Sequence, residues 1–202
     1  MTHTPLPVIL LAAGASTRMR GRDKLMEDIG GQPLLRRQAQ LALCLGPVTV
    51  ALPPAPHPRY TALSGLEVTA LPISDAAEGM GASLRGAFAV LPPKTPAAMV
   101  MLADMPEVQA ADLTRLAAAV DLNSETLIWR AATEDGTPGH PIIFAAALFD
   151  QLRQLSGDDG GRAVVRGAAG RVQLVPLPGQ RARLDLDTPE DWAAWRTQQR
   201  EK

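Results

Sequence analysis

A basic, glycine-containing loop near the amino terminus has the residue types that bind phosphate. The loop follows an apolar run that begins at Val8 and breaks at Gly14, and it carries Gly14, Ser16, Arg18 and Lys24. Glycine lets backbone N–H groups approach a ligand, while guanidinium and ammonium groups supply positive charge to phosphate oxygens. Neither G-x-G-x-x-G nor G-x-x-x-x-G-K-[ST] follows the apolar run. We therefore predict a triphosphate-binding loop of a different kind.

Carboxylates near predicted strands provide candidates for acidic chemistry. An apolar strand over 97–103 delivers Asp104 at its end, and Asp185 and Asp187 alternate with leucines further along the chain. In open parallel sheets ligands bind outside the carboxyl ends of the strands, so Asp104 is a candidate metal ligand. In an extended segment Asp185 and Asp187 share one face. Capping of the next helix is the alternative role for Asp104, which the later Asp112 makes weaker.

A second glycine-containing segment precedes a predicted helix. Gly79 and Gly81 come before apolar residues at helical spacing, and we place the start of this helix near Ser83. Unpaired N–H groups at a helix amino terminus favour electron-rich ligand atoms. A flexible loop before a packing helix explains the same residues equally well.

One histidine lies in a tight turn at the entrance of a predicted strand. His140 stands between Gly139 and Pro141, and the strand is predicted from Ile142. Taken alone, a histidine in such a turn is more often structural than chemical.

Alternating strands and helices predict the fold. A strand, helix, strand order with apolar strands is typical of right-handed βαβ units. We predict a single α/β domain over 1–202 with three layers, a mainly parallel twisted sheet and helices on both faces. The proline-rich residues 53–58 end the second strand, and no element is predicted for the segment 59–65. The predicted strands are one that begins at Val8 and breaks at Gly14, then 48–52, 66–72, 97–103, 126–130, one from 142, and 174–177. The predicted helices are 34–45, one from about 83, 111–120, 148–155, one after the turn containing Asp158 and Asp159, and one beginning at Pro189 after a Thr188 cap.

Composition restricts the class of partner. The 202 residues carry 20 Lys+Arg and 21 Asp+Glu, a net charge of -1, and aromatic residues make up 3%. With no basic field and few aromatic faces for base stacking, we expect no nucleic acid partner. No segment approaches the length of about 20 apolar residues that a membrane span requires. We therefore expect a cytoplasmic monomer without a membrane segment, in which Cys44 is a small core residue.

Five motifs in order resemble the MobA-like nucleotidyltransferases, and within them the molybdenum cofactor cytidylyltransferases. The resemblance runs from Val8 to about Trp192 and implies a nucleotide-diphospho-sugar transferase fold, which is Rossmann-like. The motifs are L-A-A-G-A-S-T-R-M (11–19) with Lys24, G-M-G-A-S-L (79–84), L-A-D-M-P (102–106), G-H-P-I-I-F (139–144) and D-L-D-T-P-E-D (185–191).

The resemblance also implies roles for individual residues. The acceptor phosphate would attack the α-phosphorus of the nucleotide and pyrophosphate would leave, with Lys24, Arg18 and Asp104 as the catalytic residues. Magnesium, or manganese in its place, would be held by Asp104 with Asp187 or Asp185. Nucleotide binding is implied for Leu11, Ala12, Ala13, Gly14, Ser16, Arg18, Lys24, Gly79, Gly81, Ala82 and Ser83, and acceptor binding for Gly139, His140 and Pro141.

The identity of the nucleotide base stays open at this stage. Ala13 stands where guanylyltransferase relatives usually have glycine, and its Cβ would narrow the space for a base, which favours CTP. The spacing of R-G-R-D-K (20–24) instead resembles those relatives and favours GTP. The leading hypothesis is CMP transfer to molybdopterin on behalf of a client molybdoenzyme. GMP transfer, transfer to a sugar phosphate, and a non-catalytic nucleotide-binding partner of a molybdoenzyme are the alternatives.

Overall fold

A seven-stranded sheet forms the centre of the computed structural model, which describes residues 5–157 and 160–200. The strand order is β3-β2-β1-β4-β6-β5-β7. β1 to β4 are parallel to one another, β6 is antiparallel to β4 and β5, and β7 is parallel to β5. The predicted mainly parallel sheet is confirmed. The strands are β1 (Val8–Leu11), β2 (Val48–Leu52), β3 (Val68–Pro72), β4 (Ala97–Leu102), β5 (Ile128–Ala132), β6 (Pro138–Ala145) and β7 (Val172–Pro176).

Helices cover both faces of the sheet, so the predicted three layers are confirmed. One apolar cluster joins the sheet to α1, α2, α4 and α7, and a second joins it to α3, α5 and α6. Every residue of β1 is buried, as expected for a strand with both faces covered. The helices are α1 (Leu34–Ala42), α2 (Pro58–Ala62), α3 (Met80–Ala89), α4 (Ala110–Ala118), α5 (Phe149–Arg153), α6 (Arg162–Gly167) and α7 (Pro189–Arg200), with 3-10 turns at Thr17–Met19, Lys24–Met26, Ala76–Glu78 and Ala146–Leu148.

The strand register brings several loops to one edge of the sheet. Leu11 at the end of β1 pairs with Ala51 of β2 on one side and with Leu102 of β4 on the other. β6 runs in the opposite direction, so the beginning of β6 lies beside the end of β4. The loops after β1, β2 and β4 therefore meet the residues that lead into β6.

Capping residues fix two of the helix starts. The Thr188 hydroxyl accepts a hydrogen bond from the Asp191 N–H at 3.1 Å, which confirms the predicted start of α7. Asp112 accepts one from the Gln109 N–H at 3.0 Å in the capping box of α4. Asp112 therefore caps α4, which leaves Asp104 free of that role.

Several predictions about local structure were wrong. Helix α3 begins at Met80 instead of near Ser83, and β6 begins at Pro138, four residues before Ile142. No element was predicted for the segment 59–65, and most of α2 lies in it.

Cys44 is exposed and is not a core residue. Helix α1 ends at Ala42, so the helical spacing that would have turned Cys44 inward stops two residues earlier. The predicted turn at Asp158 and Asp159 lies outside the described residues. Among the helices of the described ranges, none combines the length and apolar character of a membrane span.

Candidate active site

Three carboxylates meet at the edge of the sheet where β4 ends. Each of Asp104, Asp185 and Asp187 offers an oxygen within 4.8 Å of those of the others. The Leu186 N–H donates to the Asp104 carbonyl at 3.3 Å, and this backbone bond holds the two distant segments together. One Asp104 oxygen, Oδ1, is buried and has no hydrogen-bond partner in the described parts of the chain. A buried carboxylate oxygen without a partner is costly unless a ligand satisfies it.

Lys24 bridges two of these carboxylates. Its Nζ lies 2.5 Å from Asp104 Oδ2 and 2.6 Å from Asp187 Oδ1. Burial alone would lower the pKa of Lys24, but the charges and hydrogen bonds of Asp104 and then Asp187 outweigh burial and raise it above 10.5. Lys24 is therefore an ammonium ion at neutral pH.

Asp104, Asp185 and Asp187, which we call the carboxylate group, have the donor set of a divalent cation site. Burial and then the charges of Asp187 and Asp104 raise the pKa of Asp185, which shows that negative charge is crowded there. Hard divalent cations such as Mg²⁺ and Mn²⁺ prefer carboxylate oxygens. The unpartnered Asp104 oxygen and the crowded charge both fit such an ion.

The loop after β1 presents open backbone at the same edge. Ser16 has a left-handed backbone with φ of 53°, and Gly21 has φ of 84°. Gly14 does not adopt a positive φ, and a Cβ built there would meet nothing within 4 Å. The fold itself therefore does not require glycine at position 14, and the missing side chain leaves free space over the loop. Leu11 and Ala12 are buried where the strand ends.

Arg59 of α2 is the principal residue that the sequence analysis missed. Its buried guanidinium donates to the Ala12 carbonyl at 2.6 Å, to Ser16 Oγ at 3.1 Å, and to both Asp23 oxygens at 2.7 and 2.8 Å. Burial would raise the pKa of Asp23, but Arg59 outweighs burial and lowers it below 3.8. Arg59 thereby fixes the shape of the loop that leads to Lys24. A five-residue helix gives too short a pattern to be predicted from spacing.

The other basic residues of the loop are held in ion pairs. Arg18 contacts Asp187 at 2.6 Å, and its side chain is 67% exposed, so its guanidinium is accessible to a ligand. Arg20 pairs with Glu190 at 2.7 Å and Arg22 with Glu27 at 3.2 Å. Only Arg18 and Lys24 of this basic set reach the carboxylate group.

A cleft of about 470 Å³ opens beside this loop. It extends from the loop after β1 to α2 and to the 3-10 turn before α3. Its lining residues are Ala13, Gly14, Ala15, Ser16, Thr17, Gly21, Arg22, Asp23, Pro53, His57, Arg59, Ala76 and Ala77. Its size and its backbone-rich wall suit a nucleotide.

The predicted glycine segment lies at the start of α3. Gly79 has φ of 108° and directly precedes the helix. A Cβ at Gly81 would lie 2.5 Å from the Gly157 carbonyl oxygen, so close packing requires glycine there. Ala82 and Ser83 are buried. Ala76 and Ala77, which come shortly before this segment, line the cleft, whereas Gly79, Gly81, Ala82 and Ser83 are not among its lining residues. The role of the segment in nucleotide binding therefore stays a prediction.

His140 lies at the beginning of β6, on the same edge as Asp104. The backbone N–H of His140 donates to the Ala182 carbonyl at 2.7 Å. Gly139 packs so closely against the same carbonyl that a Cβ built on Gly139 would lie 1.9 Å from the carbonyl oxygen. Burial and then the charge of Arg130 lower the pKa of His140 to about 4. The imidazole is neutral at pH 7, and its buried Nδ1 has no partner among the described residues. An acceptor-binding role for Gly139, His140 and Pro141 stays a prediction.

A family model described as the MobA-like NTP transferase domain matches residues 8–174. The chain belongs to this family. The resemblance predicted from the five motifs is confirmed, and the chain is a nucleotidyltransferase of the MobA-like type.

Solved structures agree with the fold. Rv0371c from Mycobacterium tuberculosis H37Rv has a TM-score of 0.77 at 28% identity, over 95% of this chain and 98% of that chain. A complex of Rv0371C with manganese has a TM-score of 0.76 at 26% identity, over 95% and 97% of the two chains. Manganese binding by that protein is consistent with the carboxylate group described above. A search of curated protein sequences finds no match.

Two more distant structures share the fold alone. CMP:2-keto-3-deoxy-manno-octonic acid synthetase in complex with CTP has a TM-score of 0.73 at 13% identity, over 97% of this chain and 99% of that chain. Molybdopterin-guanine dinucleotide biosynthesis protein A from Archaeoglobus fulgidus has a TM-score of 0.63 at 16% identity, over 98% and 100%. The predicted nucleotide-diphospho-sugar transferase fold is confirmed.

Proposed function

We propose that this protein transfers CMP from CTP to the phosphate of molybdopterin or its molybdenum-loaded form and releases pyrophosphate. The observation that carries the proposal is the position of Lys24 between Asp104 and Asp187, beside an open, backbone-rich loop. A binding module without turnover has no need for a half-buried ammonium ion among carboxylates, because no charge develops on a leaving group.

The loop after β1 would bind the triphosphate. Residues Ala13–Ser16 of this loop line the cleft, and the side chains of Arg18 and Lys24 contact the carboxylate group. An oxygen of the acceptor phosphate attacks the α-phosphorus in line, the bond from that phosphorus to the bridging oxygen breaks, and pyrophosphate leaves with the bonding electrons. Lys24 and Arg18 offset the negative charge that develops on pyrophosphate.

Asp104, Asp187 and Asp185 would hold Mg²⁺. Bound there, the ion supplies positive charge to the phosphoryl oxygens and lowers the cost of charge development. In the structure the Lys24 ammonium group contacts carboxylate oxygens of Asp104 and Asp187 that would also bind the ion. We therefore expect this ammonium group to turn toward the triphosphate when the ion binds.

The support for cytosine comes from the wall of the cleft. Ala13 lines it and is 7% exposed, so its methyl group occupies space that a glycine would leave to a larger base. The motifs G-M-G-A-S-L (79–84) and G-H-P (139–141) also resemble the cytidylyltransferases. The R-G-R-D-K spacing (20–24) favours GTP instead, which makes GMP transfer to the same acceptor the second candidate.

One experiment separates these functions. The protein is incubated with each of the four NTPs, Mg²⁺ and molybdopterin, and pyrophosphate is measured. We expect release with CTP. Pyrophosphate release with GTP alone supports the second candidate. Release only when a sugar phosphate replaces molybdopterin means that the acceptor is a sugar phosphate. Nucleotide binding without pyrophosphate release under any condition supports the non-catalytic alternative. Asp104→Asn should abolish release, while Asp121→Asn on the exposed surface should not.

A further inference from the structure

Three arginines gather where the chain enters β6. Arg130 Nε donates to the Gly139 carbonyl at 2.9 Å, and Arg183 Nη1 donates to the Pro138 carbonyl at 3.4 Å. Arg162 begins α6, which packs in the same apolar cluster as Ile128 of β5, and its positive charge acts on Arg130. We call these three residues the arginine cluster.

The arginine cluster has no carboxylate partner among residues 5–157 and 160–200. Burial, and then the positive charges of Arg183 and Arg162, lower the pKa of Arg130. Neighbouring like charges repel one another, and a bound anion would offset that repulsion. Eight arginines elsewhere in the chain pair with carboxylates, namely Arg18, Arg20, Arg22, Arg59, Arg85, Arg153, Arg181 and Arg196.

An unpartnered imidazole nitrogen lies beside the cluster. The buried Nδ1 of His140 has no hydrogen-bond partner in the described ranges, and the charge of Arg130 acts on this imidazole. A neutral imidazole can donate one N–H to an oxyanion. The backbone N–H of His140 bonds to the carbonyl of Ala182, the residue before Arg183, and Arg183 itself donates to the Pro138 carbonyl two residues before His140.

The strand order puts the cluster opposite the nucleotide cleft. β1 lies on one side of β4 and carries the loop with Lys24, whereas β6 and β5 lie on the other side and carry the cluster. Asp104 follows β4 between them, and Asp185 comes two residues after Arg183. A ligand on the cluster would therefore face the α-phosphorus across the carboxylate group.

We propose that Arg130, Arg162 and Arg183, together with His140, bind the phosphate monoester of the acceptor. Guanidinium groups match phosphate oxygens with paired hydrogen bonds, and a dianionic phosphate is the charge that three arginines without a carboxylate partner in the described ranges can best neutralise. This inference rests on the proposed function, because it assigns the second substrate of that reaction to a defined site.

Direct binding tests the inference without turnover. Phenyl phosphate is titrated into the protein at constant ionic strength, and the imidazole resonances of the histidines are followed by NMR. We expect the His140 resonances to shift. His57 lines the nucleotide cleft and reports binding at the triphosphate loop instead.

Charge-removing variants assign the effect to the cluster. The double variant Arg162→Gln, Arg183→Gln changes exposed side chains, and should weaken phenyl phosphate binding at least about tenfold. The matched control Arg171→Gln, Arg200→Gln removes the same charge from exposed arginines, and Arg171 lies before β7 at the opposite edge of the sheet. The control should bind within about twofold of the unmodified protein, since distant exposed charges are screened.

Distinct outcomes overturn the two proposals. A shift confined to His57, an unchanged affinity in the cluster variant, or an equal loss in the control variant each contradicts the inferred phosphate site. A failure to release pyrophosphate with any NTP contradicts the proposed function but leaves the NMR result intact. Where release occurs, the cluster variant should raise the KM for the acceptor about tenfold while the KM for the nucleotide stays unchanged.

Discussion

The ammonium group of Lys24 lies 2.5 Å from a carboxylate oxygen of Asp104, a residue 80 positions further along the chain. The same ammonium group also contacts Asp187. A protein cation thus occupies the space between the oxygens that would bind a divalent ion. The lysine and the ion are therefore expected to compete for these oxygens in the absence of nucleotide.

Replacing Lys24 should have opposite effects on turnover and on metal binding. In Lys24→Met, kcat should fall about 10²–10³-fold because the developing charge on pyrophosphate loses a cation. The affinity for Mn²⁺ should rise about tenfold, since the ion no longer displaces an ammonium group, a difference of about 1.4 kcal/mol. Electron paramagnetic resonance of free Mn²⁺ measures the binding.

Two controls accompany this measurement. Lys94→Met changes the exposed Lys94 and should alter neither quantity. Asp104→Asn should weaken Mn²⁺ binding. Unchanged Mn²⁺ affinity in Lys24→Met would mean that the lysine does not compete with the ion.

Two glycine substitutions should separate binding from folding. Gly14→Ala should change the free energy of unfolding by less than about 0.5 kcal/mol, because a Cβ there meets nothing within 4 Å. It should nevertheless weaken CTP binding about tenfold, since the methyl group fills space above the loop. Gly139→Ala should destabilise the protein by about 2–3 kcal/mol through its clash with the Ala182 carbonyl. Urea unfolding and isothermal titration of CTP measure these effects, and a large stability loss in Gly14→Ala would contradict the open-loop geometry.

The methyl group of Ala13 should influence the choice of base. In Ala13→Gly, the ratio of kcat/KM for CTP to kcat/KM for GTP should fall about tenfold, because the enlarged wall admits a purine. Ala15→Gly removes a neighbouring methyl group from the same cleft and serves as the control. An equal change of the ratio in both variants would show that loop flexibility, and not the volume at residue 13, sets the preference.

The pair formed by Asp23 and Arg59 should give a pH-dependent contribution to stability. The folded-state pKa of Asp23 is lowered, so its contribution is present above about pH 3.8 and is lost as the pH falls through the folded value. At pH 7, Asp23→Asn should cost about 3 kcal/mol because it leaves the buried guanidinium without a counter-charge. Urea unfolding at pH 7 and pH 3 should show a smaller difference from the unmodified protein at the lower pH.

A surface pair provides the comparison for this effect. Asp150→Asn breaks an exposed ion pair with Arg153 and should cost less than about 1 kcal/mol. If Asp23→Asn costs no more than Asp150→Asn, the Asp23 pair does not stabilise the loop.

The parts of the fold that leave a local pattern in the sequence could be predicted from that pattern. The apolar strands, the Gly and Pro breaks, and the Thr188 cap are local signals, and the layers and most elements follow from them. The direction of β6 depends on the strands with which it pairs, and no local sequence pattern predicts that pairing. Cys44 was misplaced because an apolar run does not show where helix α1 ends.

The carboxylate group was predicted because each member follows a recognisable local pattern. Arg59 and the arginine cluster were missed for the opposite reason. Their roles depend on contacts between segments that are far apart in sequence, such as the contact of Arg59 with Asp23. Charge counting in a nearly neutral chain gives no sign that three arginines meet.

The reversed direction of β6 divides the proposed site into two exchangeable parts. The nucleotide cleft is built from residues before α3, whereas the arginine cluster and His140 all come after residue 129. A chimaera joined within the exposed turn at 121–125 would therefore keep one nucleotide while it acquires the acceptor of another family member. Asp104 and Asp187 come from different sides of that junction, so the carboxylate group is the one feature that both parents of such a chimaera must share.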